Sequence, residues 1–234
     1  MTLPLLLSLP HAGTTVPRRL VENCRLSNTQ IVRDGDEFAR EIYAPLENEV
    51  NYLVSTDIAR AVLDMNRAEE DVRKDGVVKT RTCWDEPVWK RPLGAKEIQW
   101  LIDTHHRPYQ RRLSDLGRDS GLLFAVDCHT MAERGPPVGP DPAVKRPQVC
   151  LGNANGSSCP DEWTRILQRV FQRYFPGEVT VNRPFSGGYI TRFHGTEMPW
   201  IQLELSRGPF ATSEEKSRWV SAALTDAVAQ IGKR

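Results

Sequence analysis

Leu122-Leu123-Phe124-Ala125-Val126-Asp127-Cys128-His129-Thr130-Met131 is an apolar run that turns polar at its end and delivers a histidine there. Near the start of the chain Leu3-Pro4-Leu5-Leu6-Leu7-Ser8-Leu9 does the same, ending in Pro10-His11-Ala12-Gly13. Short, almost continuous apolar runs are the signature of strands buried on both faces, as in parallel sheets. Open α/β sheets take their ligands at the carboxyl edges of such strands. Both runs therefore predict central strands, and His11 and His129 are predicted to meet at one edge of the sheet.

Working outward, Ala61-Val62-Leu63-Asp64-Met65-Asn66-Arg67 reads as another apolar strand with a polar end, and Tyr52–Ser55, Gln148–Leu151, Glu178–Val181 and Trp200–Ser206 read as further strands. Phe38, Ile42, Leu46 and Val50 recur at four-residue spacing behind Asp34-Gly35-Asp36-Glu37, which predicts an amphipathic helix opened by acidic residues. Ile98, Leu101, Ile102, His105, Tyr109 and Leu113 predict a long helix interrupted at Pro108. Trp163 to Tyr174 predicts another, and Thr212-Ser213-Glu214-Glu215 is a capping box that opens the last. Arg134 to Pro147, with five prolines and two glycines, reads as a loop. Ala68 to Arg91 is polar and nearly aperiodic over a length unusual for a structureless connection, which predicts an active-site loop at about 68–91. Strands alternating with helices imply an α/β fold: a three-layer α/β/α sandwich with a mixed, mainly parallel central sheet, forming one domain over 1–234.

The formal net charge is only +1, with both signs spread along the chain, so nothing favours a nucleic acid or an anionic membrane as partner. A small molecule is the expected partner. The first apolar stretch is short and lacks a basic flank, which fits neither a signal peptide nor a membrane span, so a cytoplasmic protein is expected. Cys24, Cys83, Cys128, Cys150 and Cys159 are odd in number and contain no C-x-x-C pair. Reduced thiols follow, rather than a disulfide framework or a cysteine-ligated zinc.

Hydrolytic zinc takes three protein ligands and keeps one position open for water. His11 and His129 supply two imidazoles, and an aspartate of Asp34-Gly35-Asp36 is the candidate third ligand, against the simpler reading of either aspartate as a helix cap. Asp127 is a candidate to pin the far nitrogen of an imidazole ligand. Glu204 stands in the apolar stretch Trp200–Ser206, where an unpaired carboxylate costs several kcal/mol, so it is the candidate general base and acid. Arg67 and Arg192 are candidate anion binders, Asn66 adds an amide beside Arg67, and Ser186-Gly187-Gly188-Tyr189 is a turn able to bring backbone close to a ligand. His105 and His106 read as one packed and one solvated histidine, and His194 as part of a loop.

In their order, Ser8–Gly13, Asp34–Asp36 with Tyr43, Leu63–Arg67, His106–Tyr109, Asp127–Met131, Gly187–Arg192 and Gln202–Glu204 make the chain resemble the N-formylglutamate amidohydrolases, relatives of the zinc carboxypeptidases. The resemblance implies a carboxypeptidase-like fold and zinc-dependent hydrolysis of N-formyl-L-glutamate to formate and L-glutamate, as in histidine degradation. It also implies one zinc per chain on His11, Asp36 and His129, with Glu204 as base and acid. Asn66 and Arg67 would hold the α-carboxylate, Gly188 would approach the substrate, and Arg192 would hold the side-chain carboxylate or polarise the formyl oxygen. The chain departs from the carboxypeptidases at Thr14, where those enzymes carry a ligating glutamate three residues after the first histidine. Alternative readings are a hydrolase of another N-acyl amino acid or small peptide, and a non-catalytic binding protein on the same fold.

Overall fold

The computed structural model describes residues 2–137 and 141–233. Strands β1 (Leu3–Leu9), β2 (Val50–Ser55), β3 (Phe124–Met131), β4 (Val149–Gly152), β5 (Val179–Val181) and β6 (Trp200–Ser206) form one sheet in the order β2-β1-β3-β6-β4-β5. Neighbours run parallel except β4 against β6, so the sheet is mixed and mainly parallel. Parallel pairs need long crossovers, and helices supply most of them. These are α1 (Asn28–Asp34), α2 (Ala39–Tyr43), α3 (Ala95–Leu101), α4 (Arg107–Gly117), α5 (Asp161–Tyr174), α6 (Tyr189–His194) and α7 (Ser213–Ile231). Among the described residues no helix is long and apolar enough to cross a membrane.

Alternation along each strand separates two cores. Leu5, Leu7, Val126 and Leu203 face one way, into a core shared with Ile42 of α2, Leu167 of α5 and Leu224 of α7. Leu6, Ala125 and Trp200 face the other way, toward Leu101 of α3, Leu113 of α4 and Ile190 of α6. This is the expected three-layer sandwich. On the second face the character changes toward the strand ends: Leu6 gives way to Ser8, Ala125 to Asp127 and His129, Trp200 to Gln202 and Glu204. The register sets Ser8 beside Asp127 and His129 beside Glu204. A polar layer thus stands at the carboxyl edge of three adjacent strands.

Several local expectations are corrected. Ala61–Arg67 is not a strand but a series of turns. Ala61, Val62, Leu63 and Met65 are nonetheless fully buried, and an apolar run looks alike in a buried turn and in a strand. The helix predicted from Phe38 to Val50 stops at Tyr43, continues as a 3₁₀ turn over Ala44–Asn48 with Pro45 in its first turn, and yields β2 at Val50. The long helix is irregular over Ile102–His106, a π-turn that directly precedes Pro108 in the first turn of α4, where the interruption is expected. His194 ends α6 instead of lying in a loop. Helix α1 was not anticipated, although Ser27 and Gln30 form a reciprocal capping box that marks its start. In the proline-rich loop, residues 138–140 lie outside the described residues.

Candidate functional site

Asp36 reaches the sheet edge because its N–H donates to the carbonyl of His11 at 3.2 Å, just after α1 ends. Its Oδ2 lies 2.9 Å from Nδ1 of His129 and 3.6 Å from Nδ1 of His11, and accepts the Thr130 N–H at 3.1 Å. One ligand atom from each of His11, Asp36 and His129 falls within 4.8 Å of the other two, and all three residues are buried. The alternatives for the third ligand are otherwise engaged. Asp34 takes both carboxylate oxygens to Lys79 Nζ, at 3.0 and 2.8 Å, and Glu37 has a side chain 43% exposed.

The far nitrogens of both imidazoles are pinned by carboxylates. His11 Nε2 lies 2.7 Å from Asp64 Oδ1, and His129 Nε2 lies 2.9 Å from Asp127 Oδ2. Asp127 is held in turn by Ser8 Oγ at 3.2 Å and Asn66 Nδ2 at 3.1 Å. Such pairs fix tautomer and ring orientation and leave Nδ1 of each ring directed at the shared point. His11 Nδ1 is buried and has no hydrogen-bond partner. Buried polar nitrogens are rarely left so, and a metal ion is one partner that would satisfy it.

The charged groups of the site stabilise one another. Burial alone would raise the Asp36 carboxyl, but His11 and His129 hold it well below the usual range. Burial likewise opposes ionisation of Asp64, yet His11, Arg60 and Arg67 bring it well below. Burial would lower His129, whereas Asp127 and Asp36 raise it well above an ordinary histidine. Two nitrogens and one carboxylate oxygen form a donor set suited to zinc. Beside them Glu204 is 7% exposed, with one oxygen accepting from Gln202 Nε2 at 2.9 Å. Burial raises its carboxyl above the usual range.

These residues open onto a cavity of about 450 Å³, whose walls include Arg67, Lys79, Trp84, Phe185, Gly188 and Arg207. The segment 68–91 forms one of these walls. It is ordered by the buried Lys79–Asp34 ion pair and by the Cys83 N–H donating to Asp34 at 2.7 Å.

Other residues singled out in the sequence take different places. Asn66 lines the cavity, but its amide is engaged by Asp127, sits 3.2 Å from His129 Nε2 and accepts the Ile190 N–H at 2.8 Å. It braces His129. Arg67 donates to the carbonyls of Asp75 and Asn66 and lies 3.8–3.9 Å from Asp75 and Asp71. The Gly188 N–H donates to Gln202 Oε1 at 2.6 Å. Arg192 is not part of the cavity wall; it donates to Gly187 O at 2.9 Å and Ser186 Oγ at 3.1 Å, bracing their turn from outside. His106 is buried on the carbonyl of Arg67, while His105 is half-exposed. Asp64, Gln202 and Arg207 were not given roles from sequence. For Asp64 the signal was present: an acid inside Ala61–Met65, the same anomaly that marks Glu204.

Known proteins share this architecture. A structure of N-formylglutamate amidohydrolase from Ralstonia eutropha JMP134 superposes with a TM-score of 0.79 at 17% identity, covering 99% of this chain and 94% of that one. A protein of Agrobacterium tumefaciens superposes at 0.74 and 17% identity, covering 98% and 88%. At that identity they share the fold alone. In sequence, the chain is 27% identical over 227 residues to an N-formylglutamate deformylase of Pseudomonas putida, covering 91% of this chain and 84% of the relative. The sequence model of the N-formylglutamate amidohydrolases matches residues 3–210, a span that contains every residue of the site from His11 to Arg207. The chain belongs to the N-formylglutamate amidohydrolase family.

Proposed function

We propose that this protein hydrolyses the formyl amide of N-formyl-L-glutamate to formate and L-glutamate, in the cytoplasm and as a step of histidine degradation, with one zinc ion held by His11, Asp36 and His129. Membership of the family and the name of the Pseudomonas putida relative support the substrate class. The observation that carries the metal is the buried, partnerless Nδ1 of His11, which converges with Asp36 and His129 next to Glu204. The odd number and irregular spacing of the cysteines support the compartment.

When bound, zinc supplies a Lewis acid that polarises the scissile carbonyl and makes water acidic enough to attack near neutral pH. The chain does the rest. Glu204, poised by burial to exchange a proton, takes one from the attacking water and returns it to the departing amine nitrogen. Asp64 and Asp127 keep the imidazoles oriented throughout. Arg67, at the cavity wall, binds the substrate α-carboxylate, with Asn66 holding the turn that presents it. Gly188 and Arg192 shape the Ser186–Gly188 wall against which the substrate lies.

Formate release from N-formyl-L-glutamate, compared with N-acetyl-L-glutamate and N-formyl-L-leucine, tests this reading. Turnover of the first substrate alone, abolished by a chelator and restored by zinc, is expected. Turnover that survives chelation rules out the metal, and absence of turnover of N-formyl-L-glutamate by the zinc-loaded protein rules out the reaction.

A further inference from the structure

The arginines around the cavity differ in how much of their binding capacity is already engaged. Arg60 donates to Asp64 Oδ2 at 3.2 Å and to the Asp34 carbonyl at 3.3 Å. Arg146 is forked onto Asp141, with two bonds of 2.7 Å. Arg67 donates to two backbone carbonyls. Arg207 alone among these four makes no side-chain hydrogen bond to any described residue; its Nε is buried and partnerless, and its nearest acid, the half-exposed Glu37, is 3.9 Å away. The guanidinium, on a side chain 16% exposed, thus stands at the cavity wall with no hydrogen-bond acceptor on its terminal nitrogens among the described residues.

The backbone that carries Arg207 is firmly held. Its N–H donates to Met131 O at 2.8 Å, extending the β3–β6 ladder by one residue. On either side, the buried Lys216 Nζ donates to Ser206 O at 3.0 Å and Gly208 O at 3.1 Å. Arg207 therefore leaves the sheet at the same carboxyl edge as Glu204, three residues further on, roughly 10 Å along an extended chain. A formyl-amino acid and an arginine side chain together bridge that span. Arg192, braced on Gly187 and Ser186 outside the cavity wall, has neither property.

We infer that Arg207 is the specificity-determining residue of this site, a preplaced fork that binds the second carboxylate of an acidic N-acyl amino acid. The inference rests on the reaction proposed above, and it replaces Arg192 with Arg207 as the side-chain anchor. A guanidinium matches a carboxylate by two parallel N–H···O bonds, which a neutral amide of the same shape cannot reproduce.

The test compares acid with amide: kcat/KM for N-formyl-L-glutamate and N-formyl-L-glutamine, and calorimetric binding of L-glutamate and L-glutamine, which needs no turnover. Wild type is expected to favour the acid roughly 10- to 100-fold in both measurements. Arg207→Gln reduces that preference to about twofold or less, and Arg207→Lys leaves an intermediate preference. Arg207→Lys keeps the test open should the glutamine variant fail to fold, as judged by thermal melting. An unchanged preference in the folded Arg207 variants overturns the inference, as does a wild type that does not discriminate acid from amide. If no substrate is turned over but wild type binds L-glutamate in preference to L-glutamine through Arg207, the reaction fails and the carboxylate subsite stands.

Discussion

Nε2 of His11 lies 2.7 Å from Oδ1 of Asp64, a fully buried carboxylate 53 positions further along the chain. The pair points Nδ1 of His11 toward Asp36 and His129, so a residue outside the converging triad decides which nitrogen of His11 faces the other two. Asp64→Asn keeps the shape but weakens the acceptor and the tautomer preference. Zinc affinity, measured by competition with a chromogenic chelator, is expected to fall about 10- to 100-fold while the folded content is retained. An unchanged affinity would remove Asp64 from the site.

Glu204 stands beside His129 in the β3–β6 register yet is not one of the three converging ligands. Glu204→Gln preserves the volume and the neighbouring Gln202. One zinc per chain is expected to remain, by metal analysis, and kcat to fall about 10²- to 10⁴-fold. Loss of metal together with activity would instead make Glu204 a ligand.

Lys79 and Asp34 form an ion pair with side chains 1% and 0% exposed, tying the 68–91 segment to the end of α1. Lys79→Met leaves Asp34 buried without its main partner, and is expected to destabilise the fold by about 3–5 kcal/mol in denaturant unfolding. The pH dependence follows from the carboxyl. Burial would raise it, but Lys79, Arg60 and the Cys83 N–H bring it below the ordinary aspartate value. A carboxyl depressed on folding contributes its stability in full above the unfolded value of about 4 and loses it as pH falls through the folded value. The stability gap between wild type and Lys79→Met should therefore be widest above pH 5 or so and close in acid.

A Cβ on Gly188 would fall well inside van der Waals distance of the Asn66 amide. That amide cannot swing away without releasing Asp127 and the Ile190 N–H. Gly188→Ala is expected to cost about 1–3 kcal/mol of stability, read by thermal melting. It should also lower kcat/KM, because the displaced Asn66 supports His129 through Asp127. A neutral effect on both would show that the turn relaxes freely.

The sequence carried much of this. Apolar runs ending in polar residues located β1, β3 and β6, and the histidine or glutamate each delivers, because a strand-length apolar run and the polar residue that ends it are local properties of a chain. The same logic misread Ala61–Arg67 as a strand: its side chains are as buried as a strand's, and burial alone says nothing of backbone course. It located Asp36 only among neighbours. Asp34 and Asp36 are indistinguishable two residues apart, until Lys79 arrives from the 68–91 segment to take one and His11 offers its carbonyl to the other.

What the sequence by itself determined is the layered α/β fold, the edge at which the site lies and the chemical types gathered there, since these follow from patterning and from residue chemistry. Tertiary structure alone decided the pairings: Asp64 with His11, Asp127 with His129, Lys79 with Asp34, and the arginine left without an acceptor. Each joins residues far apart in sequence, and the energy of a buried charge depends on the partner the fold brings to it, a quantity that no local pattern encodes.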